Sequence, residues 1–119
     1  MPEKRTYIDY VSDIKNELDK ITLFIKDLSY EDFIKDEKTV YAVIRCFEII
    51  GEAVKNLPDE LKNQYPDIPW KRIAGMRDKL IHFYFGVNYD IIWQVIKDRL
   101  PDLREKIQAI IRELEETEI

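Results

Sequence analysis

Between Thr6 and Leu28 the apolar positions recur at alternating spacings of four and three: Tyr7, Val11, Ile14, Leu18, Ile21, Ile25 and Leu28. That spacing marks one face of an amphipathic helix about 35 Å long at 1.5 Å per residue. Ile8, Tyr10 and Phe24 widen the stripe. Ser29-Tyr-Glu-Asp32 has the capping-box spacing with Asp in place of Glu, so Ser29 begins a short new turn.

A second long helix is predicted from near Asp36 to before Pro58. From Val40 to Val54 only Arg45, Glu48 and Glu52 interrupt the apolar run, which also contains Gly51. A helix apolar nearly all round packs on more than one side, so this is the central one. Gly51 costs it about 1 kcal/mol relative to alanine, and the close approach of a neighbouring backbone accounts for that cost. Glu48 and Glu52 stand one turn apart. They read either as a wet edge, with Arg45 as partner, or as a carboxylate that holds a functional arginine elsewhere.

Pro58 to Tyr65 is a short helical turn, and Tyr65-Pro66-Asp-Ile-Pro69 is a break, with Asp67 as candidate N-cap and Pro69 in a first helical turn. A third main helix is expected over about residues 70–84, stopping near Phe85-Gly86-Val-Asn88. Asp90 opens another, with Ile91, Ile92, Trp93, Val95 and Ile96 apolar. Pro101-Asp102 starts the last, on the stripe Leu103, Ile107, Ile110, Ile111 and Leu114. Glu113, Glu115, Glu116 and Glu118 make its end, about residues 113–119, acidic, solvated and frayed. No strand-like alternation persists. The expectation is an all-α, antiparallel bundle of four to five helices.

At 119 residues the chain forms one domain able to bury about two-thirds of its unfolded surface, without a disulfide or metal staple. A hydrophobic content of 45% excludes disorder. Cys46, the single cysteine, can form neither an internal disulfide nor a thiolate metal site. No apolar run approaches the ~18 residues of a membrane span, and Met-Pro-Glu-Lys-Arg lacks the apolar stretch of a secretory signal. A soluble, cytoplasmic protein is expected.

The net charge of −5 argues against whole-surface nucleic-acid binding. It is unevenly spread. Between Trp70 and Phe83, Lys71, Arg72, Arg77 and Lys79 face Asp78 alone, a local balance of +3 that leaves −8 for the rest. A polyanion would have to be gripped there.

Wound as a helix, this segment directs Ile73, Met76, Leu80 and Phe83 to the core, and Trp70, Ala74, Arg77, Ile81 and Tyr84 to a second, partly apolar face. A second such face on a peripheral helix points to a partner, a two-fold copy of the chain being one candidate. Arg77 and His82 flank it. Asp78, four residues before His82, is placed to orient the imidazole or raise its pKa. The bland alternative is that the chain's one histidine is a solvated or capping residue and its basic neighbours a solvated surface. Other chemistries lack their residues: one His and one Cys leave nothing for zinc, the Glu-x-x-His pattern of helical-bundle metal sites is absent, and three glycines make no phosphate loop.

The wording Arg77-Asp-Lys-Leu-Ile-His82-Phe-Tyr84-Phe-Gly-Val-Asn-Tyr-Asp resembles the signature of the HEPN superfamily, specifically its HepT-like toxins: Arg, a polar residue, three more, His, any residue, Tyr. Arg45-Cys-Phe-Glu-Ile-Ile-Gly-Glu-Ala resembles that family's second helix, and Ile68-Pro-Trp70 its lead into the motif. The resemblance covers essentially the whole chain. It implies a dimeric helical bundle that cleaves RNA without metal or cofactor, as the toxin of a prokaryotic toxin–antitoxin system (type II or VII). Arg77 and His82 would be the catalytic pair and Asp78 their support. Tyr84 would accept AMP from an MntA-like nucleotidyltransferase antitoxin, which silences the toxin. Lys71, Arg72 and Lys79 would be RNA contacts. The expected partners are RNA, that antitoxin and a second copy, within a homodimer or a higher hetero-oligomer, with no DNA and no membrane. The competing class is a non-catalytic HEPN module that partners a nucleotidyltransferase, with Arg77 gripping a nucleotide phosphate; such a module should tolerate loss of His82.

Overall fold

The four-and-three stripe folds as α1 (Tyr7–Phe24) in the computed structural model, which describes residues 6–76, 81–82 and 86–117. Thr6 caps it. Its hydroxyl accepts from the Asp9 amide at 3.3 Å, and the Asp9 carboxylate accepts from the Thr6 amide at 2.9 Å. This reciprocal box satisfies two amides that the helix start leaves unpaired. Val11, Ile14, Leu18, Ile21 and Ile25 are buried as the stripe predicts, while Tyr7 is exposed. The helix stops short of Leu28 because Asp27 takes a left-handed φ of 64°.

Ser29 closes the same box with Asp32, at 3.1 and 3.2 Å, and opens α2 (Tyr30–Lys35). Asp36 then caps α3 (Glu37–Lys55), accepting from the Thr39 amide at 3.1 Å and its hydroxyl at 2.7 Å. α3 buries one broad side, from Val40 to Val54, and packs on α1, α5 and α2, the central place its composition predicts, while Tyr41, Arg45, Glu52 and Lys55 on its other side are exposed. The short α4 (Asp59–Gln64) and α5 (Trp70–Ala74) follow, then α6 (Tyr89–Asp98) and α7 (Leu100–Thr117).

α1 packs most extensively on α3 and next on α7, and α6 lies against α7. The α1–α7 contact carries a charged link: Arg104 donates to Asp19 through Nε at 3.1 Å and Nη2 at 2.8 Å. Burial pushes the Asp19 carboxyl up, but hydrogen bonds from Lys15 and Arg104 outweigh it and hold the group below its ordinary value. α6 is fastened to α2. Trp93 meets Tyr30 edge-on at 5.9 Å and Phe33 at 5.1 Å, and the Tyr30 hydroxyl donates to Asp90. The architecture is the expected all-α bundle, with four longer helices, α1, α3, α6 and α7. Among the described residues no helix is long and apolar enough to cross a membrane.

Three expectations need correction. The continuous helix over residues 70–84 does not form: α5 ends at Ala74, Gly75 is a turn, and Ile81–His82 is a short strand, β1, antiparallel to β2 (Gly86–Val87). The run Ile-His-Phe-Tyr-Phe-Gly-Val is rich in β-branched and aromatic residues and contains a glycine, so its apolar positions suit a hairpin as well as a helix. Asp67 does not cap α5; Pro69 itself is the N-cap residue. The acidic end is not frayed at Glu113, because α7 continues to Thr117 and the Tyr65 hydroxyl donates to Glu113.

Candidate active site

α5 leads into the Arg77–Tyr84 motif, and two contacts fix it. A Cβ added to Gly51 of α3 would stand 3.3 Å from the carbonyl oxygen of Ala74, so the two backbones approach closely enough that even a methyl group would be tight. This is the close approach expected of a glycine in mid-helix. On the other side, the Trp70 indole donates to the carbonyls of Lys62 at 3.1 Å and Tyr65 at 3.2 Å. Those carbonyls lie in the last turn and cap of α4, where intrahelical partners run out. Trp70 and Ile73 are buried, and Lys71 and Arg72 are exposed beside them.

Arg77, Asp78, Lys79 and Tyr84 lie outside the described residues. The backbone of His82 belongs to β1 and pairs with Gly86. A helical four-residue relation to Asp78 therefore does not apply at His82, and the single face through Trp70, Ala74, Arg77, Ile81 and Tyr84 is interrupted at Gly75. Gly86 has φ 78°, a left-handed conformation that costs glycine nothing sterically. Two residues on, Asn88 caps α6, its side-chain oxygen accepting from the Ile91 amide at 3.2 Å. The motif thus runs between two anchored points, the end of α5 and the start of α6.

Two grooves flank α5. One, of about 520 Å³, lies against α4 and carries Lys62, Lys71 and Arg72. The other, of about 460 Å³, lies between α5, α6 and α7 and carries Arg72, Arg99 and Lys106, with Met76 also in its lining. Pro69 and Arg72 line both. Arg99 and Lys106 were not legible as site residues, since nothing in a chain read in order brings the α6–α7 junction to residue 72. Their signal is only that they are basic and flank the start of α7.

Burial, and then the Glu17 carboxylate beside it, push the Cys46 thiol up to about 12, so it is no nucleophile near neutral pH. Arg45 lies 3.9 Å from Glu48 and Lys55 lies 3.8 Å from Glu52, which favours the wet-edge reading of the two glutamates. Among the described residues no three His, Cys, Asp or Glu side chains are grouped to hold a metal ion.

A family profile described as ribonuclease HepT-like matches residues 14–110. A Methanocaldococcus jannaschii protein named as a candidate RNase is 48% identical over 113 residues, covering 95% of this chain and 97% of the relative. A second protein of that organism, similarly named, is 46% identical over 115 residues, covering 97% and 94%. The probable ribonuclease HepT of Thermococcus cleftensis is 46% identical over 107 residues, covering 90% and 97%. No solved structure gives a significant match.

Proposed function

This chain belongs to the HepT-like ribonuclease family, and from that membership we propose that it is a metal-independent endoribonuclease, the toxin of a toxin–antitoxin pair. Ribonuclease activity follows from the family itself. The observation that carries the finer reading is that the family match, over residues 14–110, contains the whole of Arg77 to Tyr84.

Cleavage without metal needs a base for the ribose 2′-hydroxyl proton, an acid for the leaving 5′-oxygen and a cation beside the charged phosphorane. An imidazole such as that of His82 can act as base or as acid in this reaction, and a symmetric dimer brings two of them to one cleft. Arg77 supplies a permanently charged, bidentate grip on the phosphate. Asp78 supports the pair, and Lys71, Arg72 and Lys79 hold the RNA backbone. Silencing follows when a nucleotidyltransferase antitoxin transfers AMP from a nucleoside triphosphate to the Tyr84 oxygen, with pyrophosphate leaving. The added negative charge offsets Arg77, and its bulk obstructs the cleft.

The test is RNA cleavage in EDTA by protein of verified unmodified mass, beside His82→Ala. The expected result is 2′,3′-cyclic phosphate ends with the wild type and none with the variant. Equal cleavage by both, or none by either, overturns the reading and leaves a nucleotide-binding module.

A further inference from the structure

The groove between α5, α6 and α7, like the one against α4, is locally basic in an acidic chain. Arg72, Arg99 and Lys106 line it against Asp67 and Asp102, a balance of +1 in a chain of net charge −5. Asp102 is neutralised by Lys106 at 3.0 Å, and the same ammonium donates to the Asp67 carbonyl at 3.4 Å. The two guanidiniums are different. Among the described residues neither Arg72 nor Arg99 is ion-paired, and both are exposed. They are fixed on separate elements, Arg72 on α5 and Arg99 at the α6–α7 junction.

Val95 and Leu103, both half-buried, give the groove apolar walls between these charges. Its lining includes Met76, the residue immediately before Arg77 in the chain.

We infer that this groove is a binding channel for the single-stranded RNA that flanks the cut phosphate, with Arg99 and Arg72 gripping successive backbone phosphates. The ligand's identity rests on the ribonuclease reading. Guanidinium forks match phosphate oxygens bidentately, and phosphates are the feature common to every RNA sequence. Apolar walls between them suit sugar and base faces, which are read without sequence preference. An acidic protein surface would satisfy the charges too, but it would not account for a groove whose lining reaches the residue just before the motif in the chain.

Two measurements on the full chain test this. The first is fluorescence anisotropy with an uncleavable 2′-O-methyl oligoribonucleotide long enough to extend beyond the motif. Arg99→Ala should weaken binding about tenfold, and the slope of log affinity against log salt should fall by about 0.7, the share of one phosphate contact to a single strand. Arg99→Lys should keep the slope while losing part of the affinity. The second is the kinetics of cleaving a long substrate, where Arg99→Ala should raise KM by more than it lowers kcat. Equal affinity of wild type and Arg99→Ala for the oligonucleotide overturns the channel, as does a fall in kcat with KM unchanged. A wild type that cleaves nothing would sink the ribonuclease reading alone, because the anisotropy result stands without cleavage.

Discussion

The Ala74 carbonyl oxygen lies 3.3 Å from where a Cβ of Gly51 would be, so the end of α5 rests on the backbone of the central helix. Enlarging Gly51 therefore displaces the residues that lead into the motif. Gly51→Leu should cost about 1–3 kcal/mol by overpacking. Gly51→Ala gains about 1 kcal/mol of helix propensity, which moving Ala74 offsets, so its stability should stay near wild type. Both should cleave RNA more slowly. Urea unfolding beside a cleavage assay checks this, and a fully active Gly51→Leu would show that the contact does not position the site.

Cys46 should be inert in the folded protein. With its thiol pushed up to about 12 by burial and Glu17, alkylation by iodoacetamide in mildly alkaline buffer has to wait for the α1–α3 interface to open. The rate should rise more than about a hundredfold on unfolding. Equal rates in native buffer and in urea would mean that the interface does not exclude the reagent.

Tyr65 predicts a pH dependence. Burial first, then the Glu113 carboxylate that accepts its proton, push the phenol up to about 12 from an ordinary value of 10.0. A raised value means that the folded state holds the proton more tightly than the unfolded one. The contribution is therefore complete below about pH 10 and is lost as pH rises toward about 12. Tyr65→Phe should flatten that alkaline decline. Urea unfolding of both proteins at successive alkaline pH values measures it, and identical slopes would count against the link to α7.

On the proposed chemistry, Tyr84→Phe should leave cleavage largely intact and abolish silencing by the nucleotidyltransferase. Mass spectrometry after incubation with that partner and a nucleoside triphosphate should show one adenylyl group on the wild type and none on the variant. Persistent silencing of Tyr84→Phe would mean that the partner acts by covering the site.

On the same proposed chemistry, Arg77→Lys keeps the charge but loses the two-pronged grip. A fall in kcat of about a hundredfold is expected, with a smaller change in KM, since the fork acts on charge that develops in the transition state. Wild-type kcat in this variant would place the phosphorane contact on another cation.

The parts of the fold legible in the sequence are those decided by local chemistry. The Ser29–Asp32 box, the stripe of α1 and the glycine of α3 each carry their own physical signature, and each forms as expected. The segment after Ala74 is different. Its apolar residues satisfy a helical wheel and a hairpin alike, and Gly75 and the left-handed Gly86 favour breaks that periodicity ignores. The site divides in the same way. Arg77 and His82 stand out in the sequence through a shared motif, whereas Arg99 and Lys106 join the α5 groove only through the packing of helices distant in sequence.

The Arg104–Asp19 link joins positions 85 residues apart, so the last helix closes the bundle onto the first. Leu103 and Lys106, which form one wall of the groove beside Met76, belong to that helix and leave the ribosome after the motif does. During synthesis α1 and α3 can pair early through contacts close in sequence, while the groove lacks the wall formed by Leu103 and Lys106 until α7 emerges. A growing chain therefore carries its motif past the translation machinery before the groove proposed to hold RNA is complete, a delay written into the order of its helices.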